Sequence, residues 1–504
     1  MTQDFVQAIK EGYRFEGARL DIGRAIRGGK VFPDLSVGLP LGMMNRHGLI
    51  AGATGTGKTK TLQLMAGLLS DAGVPVFLAD LKGDLSGMAQ PGASGEKLQA
   101  RIKELGVGFT PKSHPVEFLS LTGKQGAQVR ATVSSFGPLL LAKVLDLNDT
   151  QQGVLALLFK FCDDQHLPIL DLSDLKAVMG YLQGLDAKQL AGYGGMSKAA
   201  LGVLNRKLVE LEQQGAGLFL GEPEFDITDL LRQTPDGKGI ISILSLTDLQ
   251  DRPALFSTFM MWLLGELFHQ LPERGDVDKP VLVFFFDEAH LLFEEASKAL
   301  LNQIEQVVKL IRSKGVGVYF VTQTPKDIPA DVLAQLGNRF QHALRAFTPD
   351  DAKALKATAS TFPRTPFYDI EKELTSLGIG EALVTVLDPQ GRPTPVVATR
   401  LFPPDSFMGA LEEKGYQAAM KSGALQCKYA QSVDRESARE ILQKKMTTPL
   451  AASPDFRGDN LRAGSGWQES AASVAKEVLK SSLTRQIGRE VVRGIFGLLK
   501  KNLK

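Results

Sequence analysis

Short, nearly continuous apolar runs punctuate the chain at residues 49–51, 74–79, 239–246, 280–286 and 317–321. Runs of this length with little polar alternation suit strands buried on both faces of a parallel sheet. Between them the apolar period lengthens to that of a helix. Leu62, Met65, Ala66 and Leu69 share one helical face ahead of Gly73, and residues 253–270, with Trp262, form a strongly apolar helix. A further helix is predicted over 294–314. Strands and helices in alternation predict an α/β fold with a mainly parallel sheet.

Other stretches extend this frame. Residues 1–48 predict a short helix, then strands among Gly28-Gly29, Gly38 and Gly42 that lead into the sheet. Residues 139–215 turn helical, with Leu145, Leu155, Leu158, Phe159 and Phe161 on apolar stripes, and read as a helical insertion. Residues 380–401 predict a β-hairpin around Asp388-Pro389-Gln390-Gly391, expected to close the sheet edge. Past Pro403-Pro404 the composition shifts to charged, Ala-rich helices, then to a polar linker. The chain is thereby divided into 1–138, 139–215, 216–402, 403–446, 447–469 and 470–504.

The last segment is predicted to be an amphipathic helix carrying Val474, Val478, Leu483, Ile487, Val491 and Ile495, with Arg485, Arg489 and Arg493 on one face. Such a stripe suits nucleic acid phosphates, an acidic membrane surface, or docking on a protein partner or on the chain itself.

Composition changes this picture little. With 504 residues, 43% hydrophobic and 23% charged, the chain is globular rather than disordered. Its 58 basic and 56 acidic residues nearly cancel, so no global basic excess points to nucleic acid. Cys162 and Cys427 lack the spacing of a metal site or disulfide framework. The first 14 residues lack the order of a signal peptide, and no apolar run reaches the ~20 residues of a membrane span. A cytoplasmic protein is expected.

Chemistry concentrates at strand ends. Gly52-Ala53-Thr54-Gly55-Thr56-Gly57-Lys58-Thr59 matches G-x-x-x-x-G-K-[ST] between a strand and a helix. Such a loop wraps backbone N–H groups around phosphate oxygens at the positive end of the helix. Lys58 is assigned to the β- and γ-phosphates of ATP, the Thr59 hydroxyl to Mg²⁺, and Lys60 to the same nucleotide site. The run 280–286 ends in Asp287-Glu288-Ala289-His290. Two acids after a buried strand are costly unless a cation or a polarised water compensates. Asp287 is therefore assigned to Mg²⁺, and Glu288 to the attacking water as its base.

Three further side chains fit a hydrolase. Gln323, after the strand 317–321, suits a group bonded to both water and γ-phosphate. Arg339 and Arg345 flank a short β-like run, and either guanidinium suits the charge developing on a transferred phosphoryl group. The acidic turn Asp80-Leu81-Lys82-Gly83-Asp84 fits a water or Mg²⁺ site near the phosphates as well as it fits a solvated turn.

Taken in order, the loop at 52–59, Asp287-Glu288-Ala289-His290, Gln323-x-Pro325 and Asn338-Arg339 give the chain a pattern that resembles the HerA/FtsK class of ring-forming P-loop ATPases. The acidic turn at 80–84 also looks like that class's turn after its second strand. The resemblance spans most of 30–402. It implies a RecA-like, additional-strand P-loop NTPase core, and a homo-oligomer, a hexamer, with ATP at subunit interfaces and an arginine donated by the neighbouring subunit. HerA proper carries a β-barrel before its loop, which residues 1–48 are too short to supply. Two functions stay open: an ATPase ring that moves DNA, and a nucleotide-switched assembly protein that recruits a partner through 470–504.

Overall fold

The structure, a computed structural model, describes residues 2–185, 197–294, 298–431, 433 and 435–447. The amphipathic segment 470–504 and the linker before it lie outside them. Among the described residues twelve strands occur: β1 (Arg19–Arg27), β2 (Lys30–Pro40), β3 (Gly48–Ala51), β4 (Val76–Asp80), β5 (Val116–Ser120), β6 (Ala127–Gln128), β7 (Ile241–Ser245), β8 (Leu282–Phe286), β9 (Val316–Thr322), β10 (Asn338–Gln341), β11 (Glu381–Thr385) and β12 (Val397–Leu401). They form one sheet in the order β2-β1-β12-β11-β10-β3-β9-β8-β4-β7-β5-β6.

From β10 to β6 every pair is parallel, and from β10 outward to β2 every pair is antiparallel. The apolar runs behave as their composition requires: all five residues of β4, β7 and β8 are buried. Successive side chains then feed two separate cores. Leu49, Phe284, Phe286 and Phe320 pack on one face with the helices Asp149–Asp164, Lys198–Gln213 and Pro253–Gln270. Ile50, Phe285 and Val321 pack on the other with the helices Lys58–Asp71 and Thr2–Gly12. Ring pairs tie neighbouring strands, Phe77 to Phe284 at 4.9 Å between centroids and Phe286 to Phe320 at 5.6 Å.

Three features differ from the periodicity-based expectation. The hairpin β11–β12 lies inside the sheet rather than at its edge, because β1 pairs with β12 and leaves β2 outermost. Residues 85–130 supply two strands and a helix, Glu96–Leu105, that no apolar period had announced. Within the helical stretch the first helix, Val133–Val144, starts before residue 139 and is broken at Gly137 ahead of Pro138.

Residues 403–431 belong to the same compact unit, Met1–Lys445. Tyr429 donates to the buried Asp229, and Glu117 accepts from the N–H groups of Ala424 and Leu425 at the start of a helix. Cys162 is buried and Cys427 exposed, both as free thiols. Among the described residues no helix is long and apolar enough to cross a membrane.

Candidate active site

The phosphate loop leaves the carboxyl end of β3 and enters the helix Lys58–Asp71. Its glycines are required by space and by backbone shape. A Cβ at Gly52 would stand 2.5 Å from the Cβ of His342, and Gly57 has φ +111° with the Gly380 backbone 3.1 Å from its Cβ position. The loop is held from both sides: Gly52 N donates to Thr322 O at 3.2 Å, Ala53 N to Ala343 O at 2.8 Å, and Gly380 N to Thr56 O at 2.9 Å. Thr54 and Gly55 form an exposed tip. The helix has no side-chain cap, so its first-turn N–H groups are left for water or an anionic ligand.

Lys58 Nζ donates to the carbonyls of Gly52 at 2.7 Å and Ala53 at 3.2 Å. Burial lowers its affinity for the proton, while the charges of Glu288 and Asp287 act against that. The acid pair and the loop lysine therefore share one electrostatic neighbourhood. Lys60 points elsewhere, donating to Met408 O at 2.6 Å and Gln63 Oε1 at 3.2 Å.

Asp287 and Glu288 follow β8, two strands from β3 with β9 between. Asp287 is 2% exposed and Glu288 7% exposed. Asp287 Oδ1 accepts from Glu288 N at 3.0 Å, while Asp287 Oδ2 and Glu288 Oε2 are buried without hydrogen-bond partners among the described residues. The His290 ring lies beside Oε2, with Nδ1 at 3.5 Å. Burial, then the charge of Glu288, pushes the Asp287 carboxyl up to about 7. Orphaned carboxylate oxygens of this kind fit a divalent cation, and no three-ligand acid or histidine cluster occurs among the described residues.

The raised Asp287 proton affinity has a testable sign. Between about pH 4 and 7 the folded chain keeps a proton on Asp287 that the unfolded chain has lost, so this group's contribution to stability declines as pH rises to about 7. With no cation added, Asp287→Asn is expected to gain thermal stability over the parent chain through that window, with a constant difference above it. Parallel melting curves against pH would sink this if they show no divergence.

Gln323 is exposed at the carboxyl end of β9, between the phosphate-loop strand and the acid strand. The two arginines are placed differently. Arg339 lies mid-strand beside Leu49, half-buried, with Nε donating to Leu336 O at 3.3 Å, and burial lowers its proton affinity. Arg345 is exposed beyond Ala343, the residue whose carbonyl holds Ala53, and makes one long bond to Thr375 O at 3.4 Å.

Within the acidic turn Lys82 is exposed and Asp84 half-buried, while Asp80 is enclosed. Asp80 is 1% exposed, and its carboxylate accepts from the N–H groups of Lys82 at 3.2 Å, Gly83 at 2.8 Å and Leu85 at 3.1 Å. Burial raises its carboxyl to about 6, against the pull of those donors. Lys82 from the same turn forms an ion pair with Glu288 Oε1.

Sequence reading missed this pair, and missed His342 and Arg101. His342 is fully buried under the loop, with Nε2 2.9 Å from Thr61 Oγ1, and burial lowers its imidazole to about 4, so it stays neutral. Arg101 donates to the carbonyls of Ile379, Gly380 and Leu401, bracing the turn that packs on Gly57. The lone sequence signal for His342 was its place within the short β-like run between Arg339 and Arg345.

A phosphate loop at the end of a parallel strand, with a buried acid pair two strands away, defines a P-loop ATPase of RecA-like architecture. The helicase HerA-like C-terminal family model matches residues 29–504, and the chain belongs to that family. It is similar to the DNA double-strand break repair helicase HerA of Saccharolobus solfataricus, 20% identical over 361 residues that make up 71% of this chain and 65% of that protein. HerA of Sulfurisphaera tokodaii is 23% identical over 366 residues, 71% of this chain and 66% of that protein. The chain thus spans just under two thirds of the length of these relatives. Among solved structures, the plasmid coupling protein TrwB bound to a non-hydrolysable ATP analogue shares the fold. Its TM-score is 0.52 at 16% identity, covering 79% of this chain and 98% of that one.

Proposed function

We propose that this chain is a cytoplasmic, Mg²⁺-dependent ATP hydrolase that assembles as a hexameric ring and uses hydrolysis to move DNA. The observation that carries the proposal is the pair of buried, unpartnered oxygens, Asp287 Oδ2 and Glu288 Oε2, in the electrostatic reach of Lys58. In this reading residues 52–59 grip the phosphates, with Lys60 beyond them on the same helix. Asp287 and Thr59 hold Mg²⁺, which when bound neutralises charge on the β- and γ-phosphates. Glu288 takes the proton of the attacking water. Gln323 bonds that water and the γ-phosphate, since it stands at the end of the strand between loop and acids.

Arg339 or Arg345 is donated to the neighbouring subunit's phosphates. The exposure of Arg345 supports it in that role, and the mid-strand position of Arg339 on the strand beside the loop supports a role nearer its own subunit. DNA as the substrate rests on the named activity of the HerA relatives.

The test is phosphate release by the purified chain with and without single- and double-stranded DNA, with native mass measured on the same sample. Turnover is expected to rise with double-stranded DNA, and the stimulation to fall steeply as salt is raised from about 50 to 200 mM. The mass is expected at six 54.5 kDa subunits. Turnover that ignores every nucleic acid would overturn the motor reading and favour the assembly alternative.

A further inference from the structure

Glu288 is held in an unusual way. Its backbone is left-handed, φ 48° and ψ 49°, a conformation that costs a non-glycine residue about 1 kcal/mol or more and persists only where surroundings impose it. Its side chain is 9% exposed, and of its two oxygens one is unpartnered while the other meets the ammonium of Lys82. Lys82 belongs to none of the groups given roles above. It arrives from the turn after β4, the strand that pairs with β8 in the register Ala79 to Phe286.

That turn is rigid. Asp80 takes three of its N–H groups, including Lys82's own, and Gln250 Nε2 donates to Leu81 O at 2.6 Å. The Lys82 side chain is half exposed, so its ammonium keeps water on one side while pairing with a carboxylate that is almost wholly buried. Among the described residues Lys82 is the hydrogen-bonded partner of this carboxylate, and the His290 ring lies 3.5 Å from its other oxygen.

We infer that Lys82 is a positioning residue for hydrolysis: by anchoring Glu288 Oε1 from a rigid turn it holds Oε2 free and aimed for the attacking water. The inference rests on Glu288 serving as the base, as proposed above. Lys82 itself touches neither the nucleotide nor the attacking water in this assignment, and its effect passes entirely through Glu288. A group displaced by about an ångström loses about 100-fold in rate, which sets the scale of the effect.

The experiment compares Lys82→Met, which keeps length and removes charge, with Lys82→Arg, each alone and in the Glu288→Gln background. Lys82→Met is expected to lower kcat by about 10- to 100-fold with the KM for ATP unchanged, and Lys82→Arg to recover part of the loss. In the Glu288→Gln background Lys82→Met is expected to cost nothing further, since the side chain that Lys82 holds can no longer take the proton. Three results overturn the inference: equal turnover in Lys82→Met and the parent, faster turnover in Lys82→Met, or losses that multiply in the double variant. A circular-dichroism melt on each variant separates these from misfolding, and Lys82→Arg carries the comparison if Lys82→Met does not fold. If the parent chain itself binds ATP but never hydrolyses it, the base assignment has failed and the Lys82 inference falls with it, a result distinct from the three above.

Discussion

Glu288→Gln is expected to bind ATP as the parent chain does and to lose turnover by about 100- to 10,000-fold, the range of a general base. The substitution keeps the size of a side chain that is 7% exposed and leaves an oxygen to accept from Lys82, so the local packing has no reason to change. What disappears is the capacity of Oε2 to take a proton. The buried negative charge also disappears, which eases the repulsion on Asp287. Nucleotide affinity, measured by equilibrium binding of a fluorescent ATP analogue, should therefore hold or improve while phosphate release collapses.

The same variant separates the two arginines. Mixed with Arg339→Ala or Arg345→Ala subunits, Glu288→Gln subunits restore activity only where the arginine acts across an interface, because one interface in such a ring then keeps both an intact base and an intact arginine. A Glu288→Gln turnover within about threefold of the parent would remove Glu288 from the chemistry.

Lys58→Ala is expected to weaken ATP binding itself, by about 10- to 100-fold for the loss of one or more charged hydrogen bonds to phosphate. The reason lies in how the lysine is stored. Its ammonium is folded back on the carbonyls of Gly52 and Ala53, partly buried, in the field of two carboxylates. A triphosphate offers it stronger acceptors than those carbonyls, and the exchange supplies binding energy. Equal affinity in isothermal titration of the alanine variant would mean that the loop's N–H groups alone hold the nucleotide. The contrast between the two variants is diagnostic: one loses the ligand, the other keeps it and stalls.

Much of this site is written in local pattern. The loop at 52–59 is readable because backbone shape demands glycine where the chain must turn left-handed or pass close to a neighbour, as at Gly57 and Gly52. The acid pair is readable because two carboxylates directly after a wholly apolar strand are electrostatically anomalous without a cation. The parallel sheet is readable because strands covered on both faces lack alternation. None of these needs knowledge of which residues meet across the fold.

The rest depends on meetings. Lys82 and Glu288 are 206 residues apart, and Thr61 and His342 281 apart. They touch only because β4 lies beside β8 and β10 beside β3. The acidic turn was legible as chemistry, but the partners of its side chains were not. Asp80 serves the backbone of its own turn, and Lys82 serves Glu288. The outer strands followed the same logic, since β1 claims β12 across most of the chain's length and moves the hairpin off the edge.

By itself the sequence determined a phosphate loop, a buried acid pair and a mainly parallel sheet, because each is a property of a few consecutive residues and their solvent. Only the tertiary structure decided which charges face Glu288, which histidine backs the loop, and how the two arginines differ in exposure. Parallel strands are joined by crossovers whose length varies widely, so the order in which they pair, and hence every contact made between strand ends, is set by packing across the sheet rather than by spacing along the chain.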